Sequence, residues 1–339
     1  MSDLLRRKNE HLDVVLTQDV RTSHSTGFEA VSFEHVALPE LDLDEIDLTT
    51  EFLGRRLSAP FLISSMTGGP AKAAMINENL ARAAGRLGIA FAVGSQRVAI
   101  EGAGASGFGP ELRGYIGEMP LLSNFGAAQL ASPDGVDRAC RVVDMIGADA
   151  LVIHLNPLQE AVQFGGDRNW TGLLGKISTL TNAIDVPVVA KEVGFGISGR
   201  LAKRLWEAGV KIIDVAGAGG TSWAAVEARR APNDRLRTIA ETFRGWGIPT
   251  AHAVAGVRAA CPEAVVIASG GIRNGLDAAK AIRLGADLAA QAAGVLSAAL
   301  ESADAVVAHF EDRIAELRIA CFCTGSRTLN DLRHAPLLA

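Results

Sequence analysis

His154, Asn156, Gln159 and Glu160 place an imidazole, two amides and a carboxylate within one short stretch. An imidazole beside amides suits proton transfer, and one carboxylate joined by substrate phosphate oxygens suits Mg2+. Taken singly, His154 also reads as a satisfied core histidine; the cluster as a whole is harder to dismiss. Ser95-Gln96-Arg97 offers a guanidinium directly after an apolar run, a candidate anion site. Lys191 ends another apolar run, where a cation is costly unless paired. It pairs with Glu192 or another acid, or it stands as a fixed positive charge beside an anionic cofactor or intermediate. Gly270-Gly271-Ile272-Arg273, with Asn274 available to cap the following helix, reads as a phosphate cradle or as a structural turn. The small pair Ala293-Gly294 favours the cradle, and Gly217–Thr221 adds backbone and hydroxyl donors. Two anion sites on one surface imply two phosphate-bearing molecules, a cofactor and a substrate.

These groups stand where short apolar runs stop. The runs are Ala59–Ser65, Ile89–Ser95, Pro120–Phe125, Asp149–Asn156, Val186–Glu192, Val210–Ala216, Ala264–Ser269 and Ala286–Ala292. Most are near-continuous rather than alternating, as in parallel strands buried on both faces. Helical patterns lie between them: Asn77–Leu87 stops at Gly88, Leu201–Ala208 at Gly209 and Leu276–Leu284 at Gly285. The repeating helix, Gly, strand, polar loop predicts an α/β protein, a single (β/α)8 TIM barrel over 59–339. An open doubly wound sheet is the other candidate, but its Gly-x-Gly-x-x-Gly turn is missing after the first strand. Residues 1–58 form an N-terminal arm in which Leu4, Leu5, His11, Leu12 and Val15 line one helix face.

The 339 residues suffice for one such barrel, which needs about 250. A net charge of −5 with dispersed Lys and Arg argues against a nucleic-acid or membrane-surface partner. No stretch approaches the roughly 20 apolar residues of a membrane span, and the N-terminus does not read as a secretory signal; a cytoplasmic protein is expected. Cys140, Cys261, Cys321 and Cys323 are too few and scattered for a disulfide framework. Cys321-x-Cys323 reads either as a metal or redox pair or as two small apolar residues near a helix end.

In order along the chain stand Arg7-Lys8-x-x-His11, Ser65-Met66-Thr67-Gly68-Gly69, Gly94-Ser95-Gln96-Arg97 and Asn124-Phe125-Gly126. His154-Leu155-Asn156-Pro157-x-Gln159-Glu160, Lys191-Glu192-Val193-Gly194, Asp214 to Trp223 and Ser269-Gly270-Gly271-Ile272-Arg273 follow. Together they resemble the FMN-dependent type 2 isopentenyl-diphosphate isomerases over nearly the whole chain. The resemblance implies interconversion of isopentenyl and dimethylallyl diphosphate with reduced FMN and Mg2+, NADPH serving to reduce the flavin, in a homotetramer or homo-octamer. It implies FMN contacts from Ser65, Met66, Thr67, Ser95, Asn124, Lys191 and Thr221, with Gly271, Ile272, Arg273, Ala293 and Gly294 around the phosphate. Substrate contacts fall to Arg7, Lys8, Ser95, Gln96, Arg97, His154, Asn156 and Gln159, metal ligation to Glu160, and catalytic parts to Gln159, His154 and Lys191. One rival is an FMN-dependent 2-hydroxy-acid oxidoreductase, which needs a His base where this chain has Gly217-Ala218-Gly219-Gly220. Another is a non-catalytic FMN-binding barrel. The basic run Arg229, Arg230 and Arg235 has no role in either reading.

Overall fold

The computed structural model describes residues 3–65, 71–102 and 107–338; Met66 and Thr67 lie outside them. A short antiparallel hairpin, β1 (Thr50–Phe52) and β2 (Arg55–Leu57), precedes eight parallel strands. These are β3 (Phe61–Ile63), β4 (Ala90–Ala92), β5 (Leu121–Gly126), β6 (Ala150–Leu155), β7 (Val188–Glu192), β8 (Ile212–Asp214), β9 (Val265–Ala268) and β10 (Leu288–Gln291). They close in chain order, with β10 pairing back onto β3. Seven of the eight expected runs contain a barrel strand whole, β5 runs one residue past Phe125, and the expected (β/α)8 architecture is observed. Gly88, Gly209 and Gly285 have φ of 65°, 98° and 111°, the left-handed exits expected of helix-ending glycines.

Except for β5, the strands are shorter than the apolar runs because loop residues continue into the core after the ladder ends. β8 shows this. Ala216 adopts φ 36°, unusual for a residue with a Cβ, and turns the chain away two residues after Asp214.

Strand alternation divides the core in two. Phe61, Ile63, Phe91, Leu121, Phe125, Leu151, Ile153, Ile213, Val266 and Ala289 face the surrounding helices. Leu62, Ala90, Ala92, Leu122, Val152, Val189, Ile212, Ile267 and Ala290 fill the barrel. Phe52 and Leu57 of the hairpin join this inner cluster and close the barrel at the N-terminal ends of its strands. The hairpin turn is made by Leu53 and Gly54, both with positive φ (51° and 72°), the backbone shape of a tight two-residue connection.

The first helix, α1 (Asp3–Thr17), lies at the opposite end, with Leu12 and Val14 buried beneath it. Its continuation is tied to the loop after β8: Thr22 N–H donates to Gly220 O, Ser222 N–H donates to Val20 O, and Arg21 bridges Thr221. Cys321 and Cys323 sit in the last turn of the helix Ala303–Cys323 as free thiols, and burial pushes the Cys321 thiol up to about 12. This matches the packing reading of the pair. Among the described residues no helix is long and apolar enough to cross a membrane.

If the hairpin is the barrel's plug, Leu57→Ala, at a site with no solvent exposure, will cost about 2–5 kcal/mol. Urea unfolding reads this directly; a change within error of zero would mean the hairpin is peripheral.

Candidate active site

The alternation that fills the barrel with apolar side chains also builds the floor of a site. Two residues beyond Leu62, Leu122, Val152, Val189, Ile212 and Ile267 come Ser64, Asn124, His154, Lys191, Asp214 and Ser269. A period of two keeps each pair on one face, so these six form a polar layer on top of the apolar ones. Strand register sets Lys191 opposite both His154 and Asp214. Above this layer opens a cavity of about 700 Å³, large enough for a cofactor and a small substrate.

On one side stands the His154–Glu160 cluster. The Nδ1 of His154 pairs with Asn124 Oδ1 at 2.8 Å. Burial, then the charges of Lys8, Lys191 and Arg97, push the imidazole down to about 3. His154 is therefore neutral at physiological pH, with Nε2 as an acceptor, and cannot supply a proton as an imidazolium in this state. Gly126 next to it leaves little room: a Cβ there would lie 2.9 Å from His154 Nε2 and would displace the Gln129 amide. Glu160, 7% exposed, lies in the first turn of the helix Pro157–Val162 and lines the cavity. One oxygen accepts from Asn156 Nδ2 at 3.0 Å, the other from Gln163 Nε2 at 3.2 Å and Asp167 N–H at 2.7 Å. Asn156 Nδ2 also donates to Gln159 Oε1 at 3.2 Å.

Arg97 lines the cavity, paired with Glu101 (2.9 Å) and Asp167 (3.1 Å). Burial opposes its charge, but the bonds to these carboxylates more than offset it and hold the guanidinium above its usual range. Gln96, expected at the substrate, is fully buried, donates to Val142 O and accepts from Asn124 N–H, both at 3.0 Å, and is not among the residues lining the cavity. Its amide braces the β5 end and leaves nothing to offer a substrate.

Helix α1 roofs the cavity. Lys8 Nζ donates to Ser95 O at 2.9 Å, which brings Arg7, Lys8 and Arg97 to one corner. The Lys8 ammonium is pushed down to about 7, chiefly by burial and then by Arg7 and Arg97. One turn further along α1, Glu10 and His11 are fastened to the helix Trp223–Arg229 and the residue after it. Arg230 reaches Glu10 (2.8 Å) and Glu227 (2.6 Å). Glu227, 3% exposed, also takes His11 (2.8 Å) and Gln159 Nε2 (3.0 Å). Gln159 is thus held at both ends of its amide. Glu227 and Arg230 were missed in the sequence; Arg230 belonged to the basic run without a role, and only its i,i+3 spacing from Glu227 hinted at a pair.

Lys191, 7% exposed, donates from Nζ to Glu192 O at 2.6 Å and not to the Glu192 carboxylate. That carboxylate accepts backbone N–H groups from Val193, Gly194 and Phe195. The acid facing the same layer as Lys191 is Asp214, bound to Ser64 and Ser269 hydroxyls.

At the far side, Gly270 and Gly271 take φ of 97° and 79°, and the Gly271 backbone packs on the Gly219–Gly220 loop. A Cβ on Gly220 would stand 2.8 Å from Gly271 N, so a close backbone approach requires glycine here. Arg273 donates to Gly219 O at 3.1 Å, and Asn274 caps the next helix through Asp277 N–H at 2.7 Å. Thr221, Ile272, Ala293 and Gly294 line the same end. Turn and cradle readings are both satisfied by this geometry.

Two donors fit a polar ligand. Among the described residues, Ser65 Oγ and Gln291 Nε2 are buried without a hydrogen-bond partner, and both residues line the cavity. Gln291, whose Oε1 accepts from His309 Nε2 at 2.6 Å, was not singled out from the sequence. A flavin mononucleotide suits this combination of a glycine-rich end, a fixed cation and unpaired donors. For a metal, no group of three or more His, Cys, Asp or Glu side chains comes together among the described residues. Glu160 fits only a hard cation that takes its other ligands from a bound anion or water.

Residues 17–106 and 160–338 match the FMN-dependent dehydrogenase family. An isopentenyl-diphosphate delta-isomerase of Stutzerimonas stutzeri is 62% identical, covering 99% of this chain and 97% of its own. One from Xanthobacter autotrophicus is 59% identical, covering 98% and 97%. A mandelate oxidase variant solved with a monooxide FMN adduct superposes with a TM-score of 0.69 at 19% identity, covering 99% of each chain. The last likeness is one of fold. Nearly full-length identity above half places the chain in the FMN-dependent dehydrogenase family and, within it, among the isopentenyl-diphosphate delta-isomerases.

Proposed function

We propose that this protein interconverts isopentenyl and dimethylallyl diphosphate with reduced FMN and Mg2+. The observation that carries the reading is one cavity lined by a glycine-rich end at Gly270–Gly271, by the cations Arg7, Lys8 and Arg97, and by Lys191 and the clamped Gln159. The Gly270–Arg273 and Ala293–Gly294 end would take the FMN phosphate, with Ser65, Ser95, Asn124, Lys191 and Thr221 along the rest of the cofactor. Arg7, Lys8 and Arg97 would take the diphosphate, and Glu160 the Mg2+ that neutralises it. Met66 and Thr67 stay in the proposed cofactor site on resemblance alone.

The reaction adds a proton to one carbon and removes one from another. Reduced FMN supplies, when bound, a proton donor and acceptor beside an unactivated alkene. Among the chain's own groups, Lys191 provides a fixed positive charge. Gln159 and Asn156 provide amides whose orientation is set by Glu227 and Glu160. His154, held neutral, accepts a hydrogen bond rather than carrying charge. Leu12 and Trp223 give apolar surface for the isoprenoid. α1 excludes water once Lys8 has closed onto Ser95. In this reading residues 1–58 serve the barrel of 59–339 as an arm that completes the site. NADPH as reductant, a cytoplasmic location and a homotetramer or homo-octamer rest on the family resemblance.

Purified protein incubated anaerobically with FMN, NADPH, Mg2+ and labelled isopentenyl diphosphate is expected to form the dimethylallyl isomer. No isomer from protein whose flavin is demonstrably reduced would sink the assignment. Glu160→Gln is expected to raise the Mg2+ needed for half-maximal rate by at least about tenfold while FMN stays bound; loss of FMN instead would show that the two anion ends were exchanged. Lys8 carries its charge below about 7 and loses it above. The KM for diphosphate should therefore rise several-fold from pH 6 to pH 8.5. A Lys8→Met variant should lose most of that slope, and an unchanged slope would remove Lys8 from the diphosphate site.

A further inference from the structure

We propose that Asp214 is a positioning residue that sets the net charge the barrel floor presents to a flavin bound above it. The inference rests on the FMN reading and deepens it. Asp214 is 1% exposed and ends β8 on the inward face. It hydrogen-bonds Ser269 on the next strand and Ser64 after β3, across the barrel, as well as Ala216 N–H. Its Cα partner in the ladder is Lys191, which also points inward. Among the described residues no ion pair links the two. Lys191 gives one of its three N–H donors to Glu192 O, and Asp214 accepts from two hydroxyls and a backbone amide, so neither is neutralised by a direct bond to the other.

Glu192, the other acid near Lys191, is of the opposite strand parity, and its Oε2 accepts three backbone N–H groups. Asp214 is thus the acid that offsets the Lys191 field at the floor. Burial raises the Asp214 carboxyl, while Lys191 first and then Ser269, Ala216 and Ser64 oppose that rise. A lysine alone in this layer would hold an electron-rich flavin too firmly in its reduced form; a carboxylate one strand away moderates it.

The test uses full-length protein loaded with FMN. FMN affinity is read by flavin fluorescence, and the two-electron midpoint potential by anaerobic dye equilibration at pH 7. Asp214→Asn keeps the shape and removes the charge; FMN should remain bound and the midpoint potential should shift to more positive values. Ser64→Ala/Ser269→Ala keeps Asp214 but strips its hydroxyl donors. The carboxyl should then hold a proton at neutral pH, and the potential should shift in the same direction. This second variant decides the matter if Asp214→Asn does not fold. Wild-type potential in the variants that fold, with FMN bound, overturns the proposal and leaves Asp214 a structural group. Loss of FMN from Asp214→Asn alone overturns it as well. Wild-type protein that binds no FMN defeats the flavin reading and this inference together, and the fluorescence titration tells that outcome apart.

Discussion

Gathering Arg7, Lys8, Arg97 and Lys191 around one water-poor cavity is the constraint to which the rest of the molecule answers. Like charges in a low-dielectric space repel, and burial penalises each of them. The cost is visible in Lys8, whose ammonium falls to about 7 through burial and then Arg7 and Arg97, and in His154, kept neutral by burial and then by Lys8, Lys191 and Arg97. Anionic ligands relieve this repulsion, so the cavity is built to favour molecules that carry phosphate. The protein holds the cations in place meanwhile with acids arranged behind them.

Those acids divide the work. Glu101 and Asp167 orient Arg97. Glu10 and Glu227 flank Arg230 and fasten α1, so the helix that carries Arg7 and Lys8 is anchored one turn away from them. Glu227 extends the same fastening to Gln159. A single network therefore couples the roof of the cavity to an amide at its centre. Buried ion networks of this kind add little net stability, because desolvation consumes most of the Coulomb gain, but they fix geometry closely.

The fold itself is shared with proteins of different activity, as the mandelate oxidase likeness at 19% identity shows. In such barrels the apolar layers give the scaffold and the last inward residue of each strand gives the chemistry. Here the loop after β8 offers Gly217–Gly220, whose backbone packs against Gly270–Gly271, and no imidazole. That loop docks the continuation of α1, with Thr22 N–H on Gly220 O and Ser222 N–H on Val20 O.

Much of this was legible in the chain. Near-continuous apolar runs with helix-ending glycines determine a parallel barrel, since both faces of each strand must be buried. Lys191, Glu160, Arg97 and Gly270–Gly271 announce themselves because polar or flexible residues at strand ends have no packing role there. The tertiary structure decided what distance along the chain conceals. Gln96 and Arg97 are neighbours, yet one is spent on backbone groups while the other faces the cavity, and only packing distinguishes them. Arg230 finds Glu10 across 220 residues. Asp214 meets Ser64 across the barrel, and the Glu192 carboxylate turns from Lys191 to its own backbone. Sequence determines which residues end the strands, because local periodicity does so; closure of the barrel alone decides which of them share a field, because charge acts through space.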